Sequence, residues 1–248
     1  MAVQSRHASA NAKRHQPHTV NKPLQIQMNP INHIALRYAL VAMTAIFLSG
    51  CVTATVQEVR ERATGISASD AVVVLGRRSR PSSDETEIDF ITCVAQNLDN
   101  KRITVLDEAE FADATFPWFE PRIAPVNANE LPALLEEPLL AKQLEQLGLR
   151  YVIWVQGQTK RVSQAGSMTC GVGAGGGGCF GFLTWENDAS YEANIWDTEQ
   201  QRTAGRVSSD AAGTSYMPAL VVPIPIIARV QNNACTALAD QLEGFIIN

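Results

Sequence analysis

Two pairs of adjacent carboxylates, Asp107/Glu108 and Glu136/Glu137, are the side chains best placed for acid–base chemistry or for calcium binding. Carboxylates near helix starts more often stabilise the helix dipole than do chemistry. Residues after 33 contain no histidine, which removes the usual general base and the commonest zinc ligand. We therefore expect a protein that is not an enzyme and holds no metal or cofactor, with a carboxylate-dependent hydrolase as the alternative. The four histidines are His7, His15, His18 and His33.

Cys51 follows an apolar run, residues 38–48, that begins directly after Arg37. A basic residue, an apolar stretch and small residues before a cut site are typical of a secretory signal. The run is too short for an uncleaved membrane helix, which needs about 20 apolar residues. Residues 48–51, Leu-Ser-Gly-Cys, resemble the lipobox of bacterial lipoproteins. The resemblance implies that the Cys51 sulfur carries a diacylglyceryl group, that the chain is cut before Cys51 and that the new amino terminus is acylated.

This assignment divides the chain into four parts. Residues 1–27 are polar and basic, and we interpret them as a mistaken start or a leader extension, because Met28 begins a more ordinary signal. Residues 28–50 are then the signal peptide. Residues 51–70, rich in Thr and Ala, are predicted to be a tether, and residues 71–248 a single periplasmic domain.

The part after the cut, residues 51–248, carries 15 basic and 25 acidic side chains, a net charge near −10. Such a chain is a poor partner for nucleic acid and is not attracted to anionic lipid. Membrane attachment must therefore come from the lipid on Cys51. Val52 is not the aspartate that resembles an inner-membrane retention signal, so we expect the outer membrane, on its periplasmic face.

Four further cysteines, Cys93, Cys170, Cys179 and Cys235, predict disulfides in an exported chain. Four cysteines allow three pairings. Cys170 and Cys179 flank a glycine run, residues 171–178, and closing this loop locally leaves Cys93 to pair with Cys235. A phosphate-binding loop is the alternative for the glycine run, but the Lys-Ser/Thr ending of such loops is missing.

Hydrophobic periodicity predicts an α/β fold: a mixed sheet with helices packed on it, in the order β-α-β-α-β-β-β-α. Continuous apolar runs at 71–75, 103–106 and 151–156 predict strands, and alternation predicts two more at 189–196 and 202–210. The longest predicted helices are residues 88–98, 138–147 and 233–246.

The order of these elements resembles a periplasmic α/β domain family. The family includes the curli-secretion lipoprotein, the lipoprotein activators of penicillin-binding proteins and the N-terminal domain of the Tol propeller protein. The resemblance lies in residues 147–157, a helix end followed by an apolar strand and glycine, and in the hairpin of residues 193–197 and 204–207. It implies the fold of residues 71–247. The glycine loop and the proline-rich segment 218–227 depart from it.

Three apolar segments are candidate partner-binding elements. Residues 116–121 hold three aromatics and two prolines, and form either a lid on the core or a set of interface anchors. Aromatics beside the glycine run either join the core or make the loop tip adhesive. Residues 221–227 are predicted to be an extended edge segment covering the core. The candidate binding residues are Phe116, Trp118, Phe119, Phe180 and Phe182.

Together these features predict an envelope lipoprotein that acts as a non-catalytic interaction or assembly module. Its expected partners are the membrane, through the lipid, and an envelope protein, with a homo-oligomer possible. A subunit of an oligomeric secretion pore is a further alternative. A pore would need membrane-spanning strands of about 10 residues each, and the sequence shows no convincing pair.

Overall fold

The computed structural model describes residues 52–76, 85–120, 122 and 124–247. Six strands form one mixed sheet in the order β1-β6-β5-β4-β2-β3. β2 pairs in parallel with β3 and β4, and the other neighbours pair antiparallel. The strands are β1 (Val52–Arg60), β2 (Ala71–Gly76), β3 (Thr104–Leu106), β4 (Leu149–Gly173), β5 (Gly176–Asp197) and β6 (Arg202–Val221).

Helices cover both faces of this sheet. One face carries α1 (Ile88–Asn100) and α5 (Val230–Ile247). The other carries α2 (Glu108–Ala114), α3 (Leu131–Leu135), which follows a single 3-10 turn (Ala128–Glu130), and α4 (Pro138–Gln146). Among the described residues, no helix combines the length and apolar character needed to cross a membrane.

β2 shows why the core has two halves. All six of its residues are buried, and alternate side chains point to opposite faces of the sheet. Val72 and Val74 join the cluster under α1 and α5, whereas Val73 and Leu75 join the cluster under α2, α3 and α4. A strand buried on both faces explains the continuous apolar run in the sequence.

The α/β architecture is as predicted, but the order of elements differs in two places. Val52–Arg60, assigned to the tether, is the edge strand β1 and pairs with β6 along its whole length. The tether prediction is wrong here because residues 52–60 are only partly buried, so no strong apolar pattern marks the strand. Between β3 and β4 there are three short helices where the predicted order has one. Cys51 and the proposed signal peptide lie outside the described residues.

Both disulfide pairs predicted by local closure are present. Cys93 in α1 is joined to Cys235 in α5, across 142 residues of chain. Cys170 is joined to Cys179, nine residues away, and the two face each other across β4 and β5. The first bridge locks two helices on one face of the sheet, and the second closes the end of a hairpin.

Candidate functional site

Three strands extend well beyond the layer that the helices cover. β4 pairs with β2 only as far as Val155 and then continues with β5 to the two-residue turn at 174–175. β6 follows β5 as far as Val221. We call residues 157–188 together with 213–227 the arm. The predicted strands 151–156, 189–196 and 202–210 therefore end far short of the observed ones.

The arm is almost free of charge. No Asp, Glu, Lys or Arg occurs from Val162 to Trp185, or from Ala211 to Ala228. Charged residues resume only at the base of the arm, with Lys160 and Arg161 on β4 and with Glu186 and Asp188 on β5. The other residues after position 50 carry a strong negative charge, so the arm is chemically distinct from the domain that bears it.

Several large apolar side chains of the arm are exposed. Phe180 and Leu220 lie opposite each other on β5 and β6, and are 72% and 78% exposed. Phe182, also exposed, lies two residues along β5 on the same face, and its ring centroid is 6.1 Å from that of Tyr216. The exposed side chains of the arm end include Phe180, Phe182, Leu220, Val221, Val222 and Ile224. The sequence analysis identified Phe180 and Phe182, and missed Leu220 and Tyr216.

Residues 222–227 fold back along β6. The backbone N–H of Tyr216 donates to the carbonyl of Ile226 at 2.8 Å, and the Ile226 N–H donates back at 2.7 Å. The segment is extended and lies at an edge, as predicted. It covers the arm and not the core, however, and Val222, Ile224 and Ile227 are exposed. The prediction of a core cover is wrong because β6 leaves the helix-covered layer before this segment begins.

A hydrogen-bonded group fixes the root of the arm to α1. One oxygen of the Glu87 carboxylate accepts the backbone N–H of Thr159 at 2.8 Å, and the other accepts the Tyr191 hydroxyl at 2.9 Å. Burial raises the pKa of the Tyr191 hydroxyl, and the nearby Glu87 charge raises it further. Glu87 therefore joins β4, β5 and α1 at the point where β4 leaves β2.

The aromatic loop at 116–119 separates into exposed and buried side chains. Phe116 is 66% exposed, Trp118 is half-buried, and Phe119 is only 8% exposed. The Phe119 ring packs edge-on against Phe111 of α2, with centroids 4.7 Å apart. The buried position of Phe119 fits the lid alternative, whereas the exposed Phe116 does not cover the core.

The acidic pairs lie at helix ends. The Asp107 carboxylate accepts the backbone N–H groups of Ala109 and Glu110 and so caps α2. Glu136 and Glu137 are the two residues that connect α3 to α4. No group of three or more potential metal ligands occurs among the described residues.

Comparison with known proteins gives only distant structural similarity. No family model matches the sequence, and no curated protein matches it. The PelC dodecamer from Paraburkholderia phytofirmans in space group P6 aligns with a TM-score of 0.35 and 12% identity, covering 79% of this chain and 99% of that one. A variant PelC dodecamer in space group C2 aligns with a TM-score of 0.33 and 12% identity, covering 79% and 97%. Similarity at this level carries no information on function.

Proposed function

We propose that this protein is a non-catalytic assembly module of the bacterial cell envelope, held at the outer membrane by lipid on Cys51, and that the arm binds its partner. The observation that carries the proposal is the arm, uncharged beyond its base, with its exposed apolar end. Scattered exposed apolar residues are normal on a protein surface, whereas a contiguous group of them marks an interaction site.

The edge of β4 supports the same role. Beyond Gln156, and within the described residues, β4 has a strand neighbour on one side only, because β2 ends at Gly76. Prolines and charged side chains on an edge strand usually prevent it from pairing with another chain. Residues 162–173 of this edge contain neither. An extended segment of a partner can add to such an edge through backbone hydrogen bonds.

Site-specific photocrosslinking in intact cells tests this proposal. A photoreactive phenylalanine analogue at position 180 should give a discrete crosslinked protein, whereas the same analogue at Leu139, 67% exposed on α4, should not. Crosslinks between two copies of this chain would show that the partner is a second copy and that the protein forms a homo-oligomer. Equal, diffuse labelling from both positions would contradict the proposal.

Substitutions then measure the contribution of the arm. In a pull-down of the partner identified by crosslinking, Phe180→Ser with Leu220→Ser should weaken binding by about 2 kcal/mol or more, the usual threshold for interface hot spots. The melting temperature should not change, because both side chains are exposed. Leu139→Ser is the matched control and should leave capture intact.

The lipid anchor is tested separately by mass. The membrane form should have a chain that begins at Cys51 and carries three acyl groups, or two if the last acylation is missing. Cys51→Ala protein should leave the membrane fraction. If it stays there with residues 28–50 retained, a plain helical anchor replaces the lipid.

A subunit of an oligomeric secretion pore is the second candidate, and the length of the arm favours it. The uncharged runs of β4 and β5, Val162–Gly173 and Gly176–Trp185, are 12 and 10 residues long. A tilted membrane-spanning strand needs about 9–11 residues. Dye release from liposomes by the wild-type protein, abolished by Phe180→Asp with Leu220→Asp, would favour the pore. If the liposomes release no dye, the pore is excluded and the assembly module remains the proposed function.

A further inference from the structure

The proposed lipid site is joined directly to the root of the arm. β1 begins at Val52, the residue after Cys51, and Val52 pairs with Gly213 of β6. Val52 also packs against the core under α1 and α5, so this end of β1 belongs to the domain. Because consecutive Cα atoms are about 3.8 Å apart, a lipid on Cys51 would be attached next to this point, without an intervening tether.

β1 and the arm extend in opposite directions from this point. A row of paired residues crosses four strands here: Val52 on β1, Gly213 on β6, Asn187 on β5 and Arg161 on β4. We call it the anchor row. From it β1 runs to Arg60, whose guanidinium donates to a carbonyl of α5, whereas the arm continues the other way. A membrane surface at the anchor row would have the helix-covered domain on one side and the arm on the other.

Charged side chains end at or next to the anchor row. Going outward, the last ones are Arg161 on β4, Glu186 on β5 and Asp210 on β6. Trp185 and Tyr216 lie just beyond the row, and the Arg161 guanidinium carbon is 5.7 Å from the centroid of a Trp185 ring. Tryptophan and tyrosine are enriched where a protein passes from water into lipid. The change from charged to apolar chemistry therefore coincides with the position of the lipid.

Residues 77–84, which lie outside the described residues, add three arginines and one aspartate to the chain near this level. The described residues on either side of the segment both contact Val155, since Gly76 pairs with it and the Thr86 hydroxyl donates to its carbonyl oxygen. Val155 lies on the domain side of the anchor row. The segment therefore starts and ends on the water side, where arginine is favourable beside anionic headgroups.

The arm is long enough to reach deep into a bilayer. Gly176, at the outer end of β5, is 11 residues from Asn187, which corresponds to about 37 Å at the usual rise of a strand. The hydrocarbon core of a bilayer is about 30 Å thick. Val172, at the arm end, is 93% exposed, and hydrocarbon would remove such side chains from water.

The outer edge of residues 222–227 is suited to lipid. The backbone N–H groups of Ile224 and Ile226 point inward and donate to carbonyl oxygens of β6. In an antiparallel ladder the alternate positions face the other way, and here they are Pro223 and Pro225, which have no N–H. This edge therefore has no outward backbone donor at those positions, and prolines also keep another strand from pairing there.

The free edge of β4 is different, because its backbone N–H groups are present. Hydrocarbon does not tolerate an open sheet edge. Residues 162–173 of β4 can therefore enter lipid only when a partner strand covers them, as in the proposed function. The two edges of the arm thus have separate roles, one facing lipid and the other facing protein.

We infer that the arm beyond the anchor row lies inside the bilayer that holds the Cys51 lipid, with residues 222–227 facing hydrocarbon. The inference rests on the proposed function, which supplies the lipid and the partner strand on β4. It adds that partner binding takes place within the membrane, so the partner is itself a membrane-embedded protein.

Exposed apolar side chains of this segment form a depth scale for the test. Their distance from the anchor row increases in the order Ile227, Ile224, Val222. This order follows from the pairing with β6, because Ile226 bonds to Tyr216 whereas Ile224 bonds to Pro218, which is further out. All three positions lie on the edge of the arm that is remote from the partner strand.

Fluorescence quenching in membranes isolated from the producing cells measures the depth. p-Azidophenylalanine is placed at 227, 224 or 222 of the full chain, one position at a time, and coupled to a fluorophore. Stearic acids with a spin label at carbon 5 or at carbon 12 are the shallow and the deep quencher. The ratio of deep to shallow quenching should rise from position 227 to position 222. A fluorophore at Leu139 on α4 is the control and should be quenched by neither.

The alternatives give different patterns. Equal quenching at all three positions, mainly by the shallow quencher, would show that the arm lies flat on the membrane and would overturn the inference. Absence of quenching at all three would overturn it as well, because the arm would then bind its partner in water. In either case a discrete crosslink from position 180 would leave the proposed function standing. A depth gradient without that crosslink would support the arm in the bilayer and overturn the proposed partner.

Discussion

The ring of Phe90 in α1 stacks flat on the ring of Tyr191 in β5, with centroids 3.4 Å apart and planes 8° apart. Both side chains are fully buried. The Tyr191 hydroxyl extends past this stack to Glu87 and to the Thr159 hydroxyl. The stack therefore joins the core under α1 to the root of the arm.

Tyr191→Phe should lower the free energy of unfolding while keeping the stack. The loss at pH 8 should be about 1.5–3 kcal/mol, the usual range for a hydrogen bond to a charged group. In the unfolded wild-type chain this hydroxyl ionises near pH 10, whereas burial raises its pKa in the folded protein. The stabilisation is therefore complete below pH 10 and is lost as the pH rises toward the raised folded value.

Urea unfolding at pH 8, 9, 10 and 11 measures this difference. The wild-type and Tyr191→Phe proteins should approach each other in stability only above pH 10. Lys101, whose pKa is raised by its hydrogen bonds to Glu243 and Asp240, titrates equally in both proteins and cancels from the comparison. A gap that is constant across this range would contradict the assignment.

Gly157, where β4 begins the arm, should not accept a side chain. Its φ is +137°, and a Cβ there would lie 2.2 Å from the Ser190 carbonyl oxygen and 2.6 Å from the Tyr191 Cα. Both obstacles are backbone atoms, so relief requires movement of β5. Gly157→Ala should cost at least about 2 kcal/mol, measured by urea unfolding.

Gly171→Ala is the matched control for that experiment. Gly171 lies on the same strand, at the arm end, and a Cβ added there would have no neighbouring atom within 4 Å. Its unfolding free energy should stay within about 0.5 kcal/mol of wild type. Similar losses in both variants would show that the effect comes from glycine replacement in a strand and not from the root geometry.

The two disulfides should differ in their effect on stability. Replacing Cys93 and Cys235 by alanine opens a loop across 142 residues between two core helices, and should cost about 2–5 kcal/mol. Replacing Cys170 and Cys179 should change the melting temperature little, because the arm end lies outside both core clusters. Limited proteolysis should instead cut the open arm end faster. A large loss of stability in the second variant would show that arm and core unfold together.

The sequence predicted the elements whose burial leaves a clear pattern. β2 and the first part of β4 are buried on both faces, and their apolar runs give both strands. The disulfides also followed from spacing, since nine residues and a glycine run favour local closure. The mixed sheet and the position of the final helix came from the same kind of pattern.

The arm escaped prediction because β4 and β5 have no buried residues in it. Between Val162 and Gly173 every residue is exposed or only partly buried, and glycine and serine replace the β-branched residues that usually mark strands. The absence of charge from 162 to 185 and from 211 to 228 was the available signal.

Phe119 and Phe116, three residues apart, should give opposite results when truncated. Phe119 packs on Phe111 and belongs to the cluster under α2, α3 and α4, so Phe119→Ala should cost about 3–5 kcal/mol. Phe116 is mostly exposed, and Phe116→Ala should stay within about 0.5 kcal/mol of wild type. Thermal melts of both variants, run beside the partner crosslink from position 180, measure stability and binding together. If Phe116→Ala weakens the crosslink at unchanged stability, the interface extends from the arm to this loop. If Phe119→Ala leaves the melting temperature unchanged, the lid assignment of Phe119 is wrong.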